Sequence, residues 1–140
     1  MVEVNNLTRS RIDKKYFKEI ARKILEAEKK ENLYLSIVFV RRNEIKELNK
    51  KFRKKNKVTD VLSFGAEEIS DKNPFSEVSE IVICPDTVKK NAAEFKTKFR
   101  TELKRVLIHG VLHVLGYDHE KEISEAKKMF KKEESYLCIV

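Results

Sequence analysis

With 140 residues and 16.5 kDa, the chain has room for one domain around a real hydrophobic core. Its charged fraction is 39% against 41% hydrophobic, yet apolar periodicity runs along most of the length, which excludes a disordered chain. The net charge of +8 is uneven: residues 41–57 hold nine Lys or Arg against two Glu, so this segment carries +7 and the rest only +1.

No run approaches the roughly 18 apolar residues of a membrane span. The N-terminal MVEVNNLTRS has no basic stretch followed by an apolar one, so no secretory signal is expected. Cys84 and Cys138 lie far apart and form no C-x-x-C pair. A reduced, cytoplasmic protein with both thiols buried is therefore expected.

Val2 and Val4 alternate with polar residues and predict a short first strand. Residues 13–31 predict an amphipathic helix capped by Asp13, with Tyr16, Phe17, Ile20, Ile24 and Leu25 inward. The apolar run 33–40, LYLSIVFV, predicts a central strand buried on both faces. Asn43 is the expected cap of a basic helix whose inward stripe is Ile45, Leu48 and Phe52. Strands follow at 60–64 (DVLSF) and 80–84 (EIVIC), separated by a polar loop at 65–78 containing Asn73-Pro74.

Pro85 opens the next predicted helix, which runs to about Phe95 with Val88 and Ala92 inward. Thr97 is the expected cap of a helix over 97–116. A last helix over 121–137 turns Ile123, Ala126, Met129 and Phe130 inward. The order β-α-β-α-β-β-α-α-α predicts an α+β, layered fold: a mixed sheet of about four strands packed with about five helices. The 97–116 helix is amphipathic except where His109 and His113 interrupt it, which suits a helix lining a cleft.

All three histidines fall within eleven residues, HGVLHVLGYDH, from His109 to His119. A spacing of four puts His109 and His113 about 40° apart around a helix, one turn apart along it, so both imidazoles reach one point. Gly116 can adopt the left-handed conformation that ends a helix and bring His119 toward the same point. Three neutral imidazoles with an open fourth position are the catalytic form of a zinc site. The plainer alternative is a buried helix with two satisfied histidines and a surface third, but it leaves the joint placement of His and Gly without a reason.

Zinc lowers the pKa of bound water to about 7 and polarises an oxyanion, so hydrolysis of a carbonyl or a phosphodiester is the natural chemistry. The H-x3-H-x2-G-x2-H spacing matches the metzincin metalloproteases, in which a glutamate base follows the first histidine. Here that position is Gly110, which cannot accept a proton, and Met129 sits inside a helical pattern rather than in a Met-turn. Phosphodiester cleavage instead needs a cation at the phosphate, a task that suits the planar fork of arginine. The segment 41–57 supplies a positive field suited to polyanions, although a solvated helix face is the plainer reading of any charge run taken alone.

The segments LNKKFRKKNKVTDVLSF (48–64), SEIVICPDTV (79–88) and HGVLHVLGYDH (109–119) together resemble the YbeY family of bacterial endoribonucleases. They come in the family's order and span residues 48–119. Val58 and Gly65 replace common prolines and Ser79 a common glycine, all at turns or strand edges.

The resemblance implies a single catalytic domain over 1–140, a metal-dependent hydrolase with one zinc ion per chain held by His109, His113 and His119. It places Arg53 at the family's functional arginine, in contact with the RNA backbone. It implies single-strand-specific endoribonuclease activity in ribosomal RNA maturation and ribosome quality control, in the cytoplasm, with the ribosome or its small subunit as partner and no membrane. The alternatives are a non-catalytic zinc-containing assembly factor and a metzincin-like metalloprotease. Three further residues stand open. Asp118 either orients an imidazole or caps the last helix. Asp60 acts as a base or shapes the strand entry, and Tyr117 packs or takes part in catalysis.

Overall fold

The computed structural model describes residues 1–65, 78–118 and 122–139. Among them, β1 (Val2–Asn6), β2 (Tyr34–Phe39), β3 (Val61–Phe64) and β4 (Val78–Ile83) form one sheet in the order β1-β2-β4-β3. β1, β2 and β4 are parallel, whereas β3 runs antiparallel along β4 as an edge strand. Among the described residues, five helices accompany the sheet: α1 (Lys14–Ala27), α2 (Arg42–Arg53), α3 (Pro85–Glu94), α4 (Phe99–Val114) and α5 (Ile123–Ile139). This is the mixed, layered α+β architecture the element order predicts. The predicted loop at 65–78 falls mostly outside the described residues.

Side chains of β4 alternate between two cores, as a strand's period of two requires. Ile81 and Ile83 join Leu35, Ile37 and Phe39 under α1 and α4. Val82 and Cys84 join Leu62, Phe64 and Val40 under Ile45 of α2. The expectation that β2 is buried on both faces is corrected here. Leu35, Ile37 and Phe39 are fully buried, but Tyr34, Ser36 and Val38 on the other face are only half-covered. On that face the core under α2 takes in Val38 and Val40, at the end of the strand.

Several local expectations are also corrected. The cap of α2 is Arg41 rather than Asn43, because Val40 still pairs with Ile83 and the helix starts directly off the strand. Glu44 reaches back to accept the Arg41 backbone N–H at 3.2 Å. Thr97 lies one residue outside the cap of α4, which is Lys98, and its hydroxyl donates to the buried Glu102 carboxylate at 3.0 Å. α1 stops at Ala27 because Lys29 takes φ +58° and the Lys30 N–H closes on the Leu25 carbonyl. On α5, Met129 is buried, but Ile123 and Phe130 are 78% and 60% exposed. Phe52 is exposed and meets Phe64 edge-on at 5.0 Å. Cys84 is buried as expected, whereas Cys138 is exposed.

Candidate metal centre

α4 packs against β3 and β4, and the two histidines it carries line a groove with Val61, Leu62 and Ser63 of β3. Gly110 makes that approach possible. A Cβ at residue 110 would stand 2.9 Å from Cγ2 of Ile81 and 3.3 Å from Oγ of Ser63. Oγ of Ser63 donates to the Gly110 carbonyl at 3.2 Å, tying helix to strand at the closest point. The position after the first histidine is thus the one where α4 touches the sheet, and a glutamate side chain has no room there.

One turn apart, the His109 and His113 rings sit 5.1 Å between centroids, and both line one groove of about 370 Å³. α4 then ends as its sequence predicts. Gly116 has φ +103°, its N–H bonds to the His113 carbonyl, and the Tyr117 N–H bonds to the Leu112 carbonyl. These are the two bonds of a Schellman motif, with glycine at the left-handed position. The third predicted ligand, His119, lies outside the described residues. Among the described residues, no group of three His, Cys, Asp or Glu side chains is gathered as a metal site.

The opposite wall of the groove comes from the basic segment: Asn49, Arg53, Lys55 and Lys57 line it with the two histidines. Arg53 ends α2 and is held against β3, with Nη2 donating to the Ser63 carbonyl at 2.7 Å. Its guanidinium also lies 4.8 Å from the centroid of the Phe64 ring. Cation and histidines therefore converge from opposite faces of the sheet around its β3 edge. Buried Asn49 braces this wall by donating Nδ2 to the Lys57 carbonyl at 3.0 Å.

A residue that the sequence does not single out completes the histidine side. Glu133 on α5 meets Nδ1 of His109 at 2.5 Å. A carboxylate accepts, so Nδ1 carries the proton and His109 is held in one tautomer and orientation. Nearby, Glu28 accepts from the Tyr117 hydroxyl at 2.6 Å, the Tyr136 hydroxyl at 2.5 Å and Nζ of Lys132 at 3.1 Å. Burial opposes ionisation of Glu28, but bonds from Tyr117, Tyr136 and Lys132 outweigh it and hold its carboxyl below the ordinary value. Burial, followed by the bond to Glu28, pushes the Tyr117 hydroxyl up to about 12. This knot joins the end of α1, the exit of α4 and the turn of α5 that carries Glu133.

The remaining candidates can now be placed. Tyr117 packs through its bond to Glu28. α5 begins at Ile123 with the Glu122 carbonyl accepting from the Ala126 N–H, and residues 119–121, between Asp118 and that start, lie outside the described residues. The Asp60 carbonyl accepts from the Cys84 N–H at 2.9 Å and so shapes the strand entry, while the residue also lines the groove.

The family model described as Endoribonuclease YbeY matches residues 3–139. An Endoribonuclease YbeY from Persephonella marina is 44% identical over 85% of this chain and 78% of its own length. One from Thermotoga neapolitana is 42% identical over 89% of this chain and 80% of its own. The solution structure of TM1509 from Thermotoga maritima superposes with a TM-score of 0.69 at 35% identity, covering 98% of this chain and 87% of that one.

Proposed function

Because the chain belongs to the endoribonuclease YbeY family, we propose that it is a zinc-dependent endoribonuclease cleaving single-stranded RNA in ribosomal RNA maturation and ribosome quality control. The supporting observation is the shared groove, in which Arg53 and two adjacent lysines face His109 and His113. A polyanion drawn to that wall lies against the histidines, a disposition suited to phosphodiester cleavage. The ribosome or its small subunit is the expected partner, and the cytoplasm the expected setting. Among the described residues, no helix is long and apolar enough to cross a membrane.

In this reading His109 and His113, with His119, hold one zinc ion. The fit rests on two imidazoles at one groove wall, one of them oriented by the contact of its Nδ1 with Glu133. Zinc in that position supplies Lewis acidity and lowers the pKa of water. Arg53, anchored on the Ser63 carbonyl and Phe64, offers a positioned cation to phosphate oxygens. The Asn49 brace holds the Lys55–Lys57 turn so that its charge faces the groove.

Gly110 also favours a second reading, a zinc-containing assembly factor that binds RNA without turnover, since no base follows the first histidine. The same crowding disfavours a metalloprotease. Incubating a single-stranded RNA with purified protein, before and after chelation, tests these readings. Cleavage that is lost on chelation, restored by zinc and lost in His113→Ala is the expected result. Tight, salt-dependent binding without cleavage by the zinc-loaded protein would instead establish the assembly factor. Hydrolysis of a peptide by the same sample would point to the protease.

A further inference from the structure

Among the described residues, two more hollows border the N-terminal end of α2, at Arg42. The first, of about 440 Å³, is walled by Arg42 and Lys90, by the carboxylates of Asp86 and Glu94, and by Val58, which in sequence lies between Lys57 and Thr59 of the histidine groove. The second, of about 570 Å³, shares Arg42 and Asp86 with the first and adds Arg9, Arg41 and Lys89. It sits where β1 and β2 end, and sheets with parallel strands take their ligands at the carboxyl ends of those strands.

This end of the molecule is built before any ligand arrives. Asn6 folds the turn after β1: its Oδ1 accepts from the Thr8 N–H and hydroxyl, and its Nδ2 donates to the Ser10 carbonyl. Nζ of Lys89 donates to Oγ of Ser10 at 3.1 Å, joining that turn to α3 and leaving Arg9 at its tip. Arg9, Arg41, Arg42 and Lys89 are all exposed, and among the described residues no salt bridge neutralises any of them. Among the described residues, Asp86 is the one carboxylate lining this hollow against these four cations.

Geometry along α2 links the two ends. Arg42 and Arg53 are separated by about 16 Å of helix and only about 20° around its axis, so both border the same flank. Lys46 lies about 40° from Arg42 on that flank, and Lys50 about 80°. A single strand with its reactive phosphate at the histidines and running along this flank would therefore pass the mixed-charge hollow of Arg42, Lys90, Asp86 and Glu94 and reach the cations at the far end of α2.

We propose that the hollow formed by Arg9, Arg41, Arg42 and Lys89 is a second backbone-binding station for single-stranded RNA. At a stacked rise of about 3.4 Å it engages phosphates about five nucleotides from the histidine groove. The proposal rests on the reading of that groove as an RNA-cleaving site. It makes substrate length, rather than base identity, a determinant of affinity, because phosphate contacts carry no sequence information.

The test uses the full chain freed of zinc, so that RNA is bound and not cut. Fluorescence anisotropy compares labelled four-nucleotide and twelve-nucleotide oligouridylates across a range of salt. Wild type is expected to bind the longer strand more tightly and with the steeper salt dependence. Arg9→Gln with Arg41→Gln should weaken twelve-mer binding about tenfold and reduce the salt slope by about 1–2, removing most of the gain with length. The α2 cap uses only the Arg41 backbone N–H, so it survives the substitution. Arg9→Gln with Lys89→Gln should show the same loss without touching α2 at all. Twelve-mer affinity and salt slope unchanged in both folded variants would overturn the proposal. If wild type neither binds the twelve-mer nor cuts it when loaded with zinc, the endoribonuclease reading fails, and the second station fails with it.

Discussion

The contact between Glu133 and Nδ1 of His109, at 2.5 Å, orients that imidazole. Partners of this kind are worth about 10–100-fold in metal affinity. Glu133→Gln can present an amide donor in place of the carboxylate, and we expect zinc binding to weaken by that order in competition with a chelating indicator. Affinity equal to wild type would remove the role. Arg53→Lys keeps the charge but loses the fork that reaches the Ser63 carbonyl. It should lower cleavage about 10²-fold with zinc content unchanged; a parallel loss of zinc would mean that Arg53 instead supports the fold of the groove. The placement of His109 and His113 on one helix face was legible in their spacing, whereas Arg53, one of nine Lys or Arg in residues 41–57, was singled out only by the family resemblance. Glu133 was not legible, since α5 is rich in Lys and Glu, and only its packing against α4 selects this one.

At the scale of the element, α4 shows two glycines with opposite reasons. Gly116 has no atom within 4 Å of an added Cβ, but φ is +103°. Gly116→Ala should therefore destabilise through backbone strain alone, by about 1–2 kcal/mol. Gly110 has helical neighbours and a crowded site, with Ile81 at 2.9 Å. Gly110→Ala should destabilise by about 1–3 kcal/mol through overpacking, offset in part by about 1 kcal/mol of helix propensity. Chemical denaturation of both variants checks the pair, and a stabilised Gly110→Ala would show that α4 can lift off the sheet at no cost. The first glycine was readable from the histidine spacing. The second read only as a missing base, because its contact with β4 is made between residues 29 positions apart. Caps were misplaced for a related reason: where strand β2 runs straight into α2, sheet pairing decides the boundary and overrides the preference of Asn43.

Across the whole molecule, the element order was enough to give a mixed four-stranded sheet, whereas the position of the groove was not. It depends on β3 turning antiparallel at the edge, so that α2 and α4, on opposite faces, meet around one rim. The knot at Glu28 ties three distant segments, and its protonation should be felt globally. Its folded carboxyl lies below 4.5, so the stability it contributes is present above that value and is lost as pH falls through the lowered one. Tyr117 works in the other direction: its proton is held up to about 12, and its contribution is lost as pH rises from 10 toward that value. Thermal melts from pH 3 to 6 should thus be flatter in Glu28→Gln than in wild type; equal slopes would remove Glu28 from the account. The central claim, that the His109–His113 groove is where RNA is cut, is tested most directly by single-turnover cleavage of a single-stranded RNA during zinc titration of metal-free protein. The rate should rise to a plateau at one zinc per chain in wild type and stay at background in His113→Ala. Cleavage that is independent of added zinc, or equal in the variant, would contradict it.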